Sequence, residues 1–144
     1  MSKKRSAAEL TVHSGPHLTI EWYWNPRNEM PGLDSYLGLD EDTQARFLAS
    51  ISLLSETRRG EQVSTTLVKV EHKKPLILAV KAIKSRFPCF HATGAKIVIT
   101  GRYIKHGEKL DKRGERAIRD ALAAREDYLL RNNDGVYYRR GEKK

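Results

Sequence analysis

Leu76-Ile77-Leu78-Ala79-Val80-Lys81-Ala82-Ile83-Lys84 is the stretch on which the reading of the fold turns. Its first half is apolar without a helical gap, as in a strand covered on both faces, and cations stand at its far end. Arg86 to Ala92 reads as a second strand, in which Pro88 marks a bulge or a sheet edge because proline cannot donate to a ladder. Thr93-Gly94-Ala95 is a short turn, so this strand is expected to form an antiparallel hairpin with Lys96-Ile97-Val98-Ile99-Thr100. Upstream, Lys73-Lys74-Pro75 separates the central strand from another candidate at Thr65 to Val70.

Helical patterns flank this block. Asp40 or Asp42 can cap a helix over 42–58, where Ala45, Leu48, Ile51, Leu54 and Ser55 fall on one side and Phe47 widens the apolar stripe. Arg58-Arg59-Gly60 supplies cations and a glycine where such a helix should stop. A second helix is expected over 112–131, capped by Asp111, with Ala117, Ile118, Ala121, Leu122 and Leu129 toward a core. Its Glu115–Arg119 and Arg116–Asp120 pairs suit the wet side. Before both, His17 to Trp24 alternates like a half-buried strand until Asn25-Pro26 and Met30-Pro31-Gly32 break the chain. The expectation is one α+β domain over residues 17–131, an antiparallel sheet of at least three strands packed against the two helices. Residues 1–16 read as a flexible basic tail and 132–144 as a basic C-terminal tail after the turn Asn132-Asn133-Asp134-Gly135.

Composition narrows the function. The chain has 144 residues, enough for one cored domain, and no apolar run nears the ~20 residues a membrane helix needs. No apolar segment follows the basic residues at Lys3 to Arg5, so no secretory signal is expected. A lone cysteine, Cys89, permits no internal disulfide and no thiolate zinc cluster; it reads as a half-buried strand residue in a cytoplasmic protein. The net charge of +9 is uneven: residues 1–60 carry 7 basic and 8 acidic side chains, residues 61–144 carry 20 and 10. Such asymmetry points to a polyanionic partner, nucleic acid first. The sequence has no phosphate-binding glycine loop, no His-Glu-x-x-His pair and no Gly-x-Ser-x-Gly elbow, and its five histidines lack ligand spacing. Neither a metal nor another cofactor is expected.

What remains is a set of cations on strands and on the loop after them: Lys81, Lys84 and Arg86, then Arg102, Tyr103, Lys105, His106 and Lys109. A twisted sheet can bring both groups to one concave face, where guanidinium groups bind phosphates bidentately and lysines act as point charges. Tyr103 is a candidate for stacking on a base, and His106 for moving a proton near neutral pH. The plain alternative is a solvated charged face.

The order of these segments resembles the RelE/HigB superfamily of bacterial toxins, in particular its phage-derived HigB-like branch. Trp24-Asn25-Pro26 with Met30 to Leu37 is similar to the family's short proline-containing stretch after the first strand. Leu76 to Lys81 resembles its central strand, Arg86 the arginine of the next strand, Gly101-Arg102-Tyr103-Ile104-Lys105-His106 through Lys109 its terminal loop, and Ala117 to Tyr128 its last helix. The resemblance spans residues 17–131. It implies a toxin of a type II toxin–antitoxin system that cleaves mRNA on the ribosome, with a helix-turn-helix, HigA-like antitoxin as partner and no metal. The RNA's own 2′-hydroxyl would attack the adjacent phosphorus, with Lys81 and Arg86 stabilising charge and Lys105 and His106 transferring protons. Lys84, Arg102, Tyr103 and Lys109 would hold the RNA. Three positions depart from the family pattern: Ala79 where an acidic residue is usual, His106 where a second lysine is usual, and Leu110-Asp111 in place of Thr-Pro. The first two bear on catalysis. A non-catalytic RelE/ParE-like inhibitor, or an RNA- or ribosome-binding module, is the other reading.

Overall fold

A computed structural model describes residues 3–58, 61 and 64–140. After a short 3-10 turn at Ala7–Glu9 come strands β1 (Thr11–Ser14) and β2 (Thr19–Trp22), then helices α1 (Pro31–Leu37) and α2 (Glu41–Ser55). Strands β3 (Val68–His72), β4 (Ile77–Ala82), β5 (Ser85–Ala92), β6 (Lys96–Ile99) and β7 (Tyr103–Ile104) follow, and α3 (Lys112–Asn133) closes the series. The chain is thus α+β, with a seven-stranded sheet in the order β1-β2-β6-β5-β4-β3 and β7 paired to β5. Helix α2 packs on one face, against β4, β1 and β2; α3 packs on the other, against β5, β7 and β4.

The sheet is mixed, which corrects the expectation of an antiparallel one. β2 runs parallel to β6, from Thr19 opposite Lys96 to Trp22 opposite Ile99, while every other pairing is antiparallel. The cause lies in the connection: α1, α2 and three strands separate β2 from β6, so no tight turn forces the two to run oppositely. Pro88 is neither at an edge nor in a bulge. β5 pairs with β6 over Cys89–Ala92 and with β7 over Ser85–Arg86, and Pro88 sits where one neighbour has left and the other has not begun. No ladder N–H is required there, and its carbonyl accepts from Thr100 N at 2.8 Å.

Local chemistry sets the helix ends. The Asp40 side chain accepts hydrogen bonds from Thr43 N at 3.1 Å and Thr43 Oγ1 at 2.7 Å, fixing the start of α2. α2 stops at Ser55 rather than 58, because the β1–β2 turn docks there: His17 N and Leu18 N donate to Ser55 O at 3.1 and 3.0 Å. Only glycine fits at position 15, since a Cβ would lie 2.1 Å from Ser55 Oγ. Arg59 and Gly60, expected to end this helix, lie outside the described residues. Pro31, read as a break, is the first residue of α1, where its missing N–H costs nothing.

Neither terminal segment is a free tail over its described residues. β1 forms one edge of the sheet, Leu10 is buried, and Arg5 bonds to Glu9 at 2.7 Å and Asp34 at 2.6 Å. Residues 134–140 fold back as a strap over β2 and α3. Tyr137 is fully buried and accepts from Trp24 N at 2.7 Å; Tyr138 donates to Glu21 Oε1 at 2.7 Å. Arg140 stacks 4.1 Å over the Trp24 ring and donates to Trp24 O at 2.7 Å. Residues 141–144 of the expected tail lie outside the described residues.

Beside the strap, Asp127 accepts hydrogen bonds from Tyr23 at 2.5 Å and from Arg131 Nε at 3.0 Å. Desolvation alone would raise its carboxyl, but bonds from Arg131 and Tyr23 and the nearby guanidinium charges hold it below its ordinary value. A folded pKa below the unfolded one gives stability that is complete above the unfolded value and is lost as pH falls through the folded one. Asp127→Asn should therefore flatten the fall in melting temperature below about pH 4. Parallel acid-side curves for the two proteins would show that this network does not couple folding to pH.

Candidate nucleic-acid interface

The register decides which side chains share a face. Phe87 contacts Phe47 of α2 with ring centroids 4.3 Å apart, and Phe90 contacts Tyr128 of α3 at 5.5 Å. Even positions of β5 therefore face α3. Arg86 belongs to that set, and its cross-strand partners Lys81 and Tyr103 share the face, as does Lys69 through its pairing with Ala79.

Arg86 is only 8 % exposed. Its Nη1 donates to Ile83 O at 2.7 Å and Ser85 O at 3.0 Å, while its buried Nε has no partner. No carboxylate lies within ion-pair distance of it among the described residues. Arg102 is not beside it on the same face. Alternation from Tyr103 turns Arg102 the other way, and its Nη1 reaches Ser85 Oγ at 3.2 Å, leaving its own Nε buried and unpartnered. The two guanidinium groups meet at one hairpin corner from either side of the sheet, not on a single concave face.

Lys81 is turned toward β3 and donates to Thr65 O at 2.7 Å. Tyr103 is 6 % exposed and offers no ring to a base; it lies under the start of α3, where a Cβ on Gly114 would come within 3.4 Å of the ring and 2.8 Å of Leu110. Burial first, then the charge of Glu71, raises its hydroxyl pKa, against the opposing charge of Arg86. Lys84, Lys105, His106 and Lys109 are exposed. A bond from Lys105 N to Lys84 O at 2.8 Å ties the β4–β5 turn to the terminal loop, and His106 and Lys109 line a shallow depression with Lys69, Tyr103 and Asp111.

One residue here was not singled out from the sequence. Glu71 has a side chain 1 % exposed, its Oε1 lies 3.6 Å from Lys69 Nζ, and that oxygen has no hydrogen-bond partner. The signal was the alternation Val68-Lys69-Val70-Glu71, which puts the two charges on one side of the strand. Glu71 thus lies on the strand next to β4, near Lys69, which pairs with Ala79.

Cys89 is fully buried rather than half-buried, and desolvation pushes its thiol up to about 12. Thiol reagents should leave the native protein unmodified and label Cys89 fully in denaturant; rapid native labelling would contradict this placement. Among the described residues no group of three His, Cys, Asp or Glu side chains is placed to hold a metal ion, and no helix is long and apolar enough to cross a membrane.

No protein-family model matches the chain, and no curated protein matches it at a significant level.

Proposed function

We propose that this protein is a RelE/HigB-like toxin of a type II toxin–antitoxin system, an endoribonuclease that cleaves mRNA on the ribosome. The observation that carries the reading is Arg86, a guanidinium more than nine-tenths buried with no acidic partner among the described residues. Leaving a buried charge uncompensated is expensive, and an RNA phosphate is the anion that would compensate it. The order strand, helices, meander, terminal loop and helix also supports it.

In this mechanism the 2′-hydroxyl of the substrate attacks the adjacent phosphorus, giving a 2′,3′-cyclic phosphate and a 5′-hydroxyl. Arg86 stabilises the developing phosphorane charge, and Lys105 and His106 on the loop move the protons. Tyr103 acts as a positioning residue that fixes the loop under α3. Lys84, Arg102 and Lys109 hold the strand, and Lys81 would have to leave Thr65 O to take part. The proposed partners are ribosome-bound mRNA and a helix-turn-helix antitoxin, and the proposed setting is the cytoplasm.

A second reading has its own observation: Arg86 and Lys81 both spend donors on backbone carbonyls of the chain itself. That favours a module that binds RNA or the ribosome without cutting. Primer extension on a reporter RNA during induced expression separates the two; discrete new 5′ ends mean cleavage, and translation arrest without them means binding alone.

Charge removal tests the interface under either reading. Replacing Lys84, Lys105 and Lys109 together by glutamine should weaken RNA binding and make the logarithmic salt slope shallower by about 0.7–0.9 per lost phosphate contact. An unchanged slope would place the RNA elsewhere.

A further inference from the structure

The β4–β5 turn is built from an unfavourable residue. Ala82 pairs with Ser85, so the turn is Ile83-Lys84, and Ile83 has φ +57°. Glycine takes the first position of such a turn without cost, whereas a β-branched residue there is strained. The strain is held in place by Arg86 Nη1, which donates to Ile83 O at 2.7 Å. What the strain presents is apolar: Ile83 is 52 % exposed, and Ile104, opposite Ser85 on β7, is 40 % exposed.

The surroundings are cationic. Lys84 and Lys105 are exposed and joined through the bond to Lys84 O, and Arg102 reaches Ser85. Between Glu71 and Glu108 the chain contains no acidic residue. An apolar tip ringed by positive charge fits a polyanion that also offers apolar surface. Nucleic acid is such a polymer, since isoleucine and similar side chains pack against unstacked bases while lysine and arginine take the phosphates.

We propose that the Ile83–Lys84 tip is a wedge that packs against an unstacked base of single-stranded RNA. Ile104 broadens the apolar surface, and Lys84, Lys105 and Arg102 grip the flanking phosphates. This rests on the RNA-directed reading above and adds which part of the chain meets a base. Because Arg86 holds the Ile83 carbonyl, wedge and buried guanidinium move as one unit.

The test uses the full chain and a short single-stranded RNA carrying the fluorescent base aminopurine. Ile83→Gly removes the wedge and relieves the backbone, so its melting temperature should not fall. Its RNA affinity should drop roughly ten-fold, as expected for losing one buried aliphatic contact. The salt slope should stay unchanged, because no charge is lost. The aminopurine signal on binding should shrink with it, and Ile104→Ser should weaken binding in the same way. Leu130→Ala, exposed on α3, should leave affinity as it is. Wild-type affinity in both Ile83→Gly and Ile104→Ser would overturn the wedge while leaving the RNA-directed reading intact. Failure of the unaltered protein to bind RNA, whether free or presented on the ribosome, would overturn both.

Discussion

Tyr137→Ala should destabilise the protein by about 3–5 kcal/mol, the usual cost of deleting a fully buried aromatic ring. The ring lies 4.5 Å from Tyr128 and 4.8 Å from Tyr138, centroid to centroid, and its oxygen accepts the Trp24 N–H. Removing it empties a site bounded by β2, α3 and the strap and orphans a buried donor. Tyr137→Phe keeps the ring and loses only the acceptor, so it should cost about 1–3 kcal/mol. Urea unfolding of the three proteins measures both. A loss below about 1 kcal/mol for Tyr137→Ala would mean that the strap lies on the fold without supporting it.

Under the proposed endoribonuclease reading, His106→Ala is expected to cut RNA cleavage by at least ~100-fold with folding and ribosome binding retained, since positioned acid–base groups typically contribute ~100- to 10,000-fold. His106 is exposed on the loop after β7, which Tyr103 anchors beneath α3. A rigid support of this kind is what a proton-transfer group requires. His72→Ala is the matched control: that ring is occupied with Pro75 O at 2.7 Å in the β3–β4 turn and should be dispensable for cleavage. Near-normal cleavage by His106→Ala would take the residue out of the mechanism and leave Lys105 and Arg86 to account for it.

The central meander was legible because its apolar runs are long and because Lys73-Lys74-Pro75 and Thr93-Gly94-Ala95 punctuate two of its turns; the Ile83-Lys84 turn, read as the end of a strand, was not. The Lys96–Ile99 strand and the Asp111-capped helix lie where their patterns put them. Strand direction was not legible, because periodicity fixes a face and not a partner. The terminal segments were misread for a physical reason. Thr11-Val12-His13-Ser14 is a polar edge strand with little apolar signal, and the basic residues around Tyr137-Tyr138 hid two aromatic rings that the core needs. In the site, residue types predicted chemistry but not exposure. Arg86 and Tyr103 carry the expected side chains, yet both are buried, and Glu71 became visible only when the structure placed it near Lys69 and Tyr103.

The parallel pairing of β2 with β6 has a kinetic consequence. The β3–β6 meander closes short loops and can form early, whereas β2 must cross two helices and three strands of chain before it meets Ile97, Val98 and Ile99. That long closure carries a large entropic cost and so slows the completion of the sheet. Until it is complete, β6 presents an apolar strand with one row of amides and carbonyls unanswered. A nascent chain in that condition is open to pairing with its own copies, so the step that finishes the sheet is also the one that protects it from aggregation.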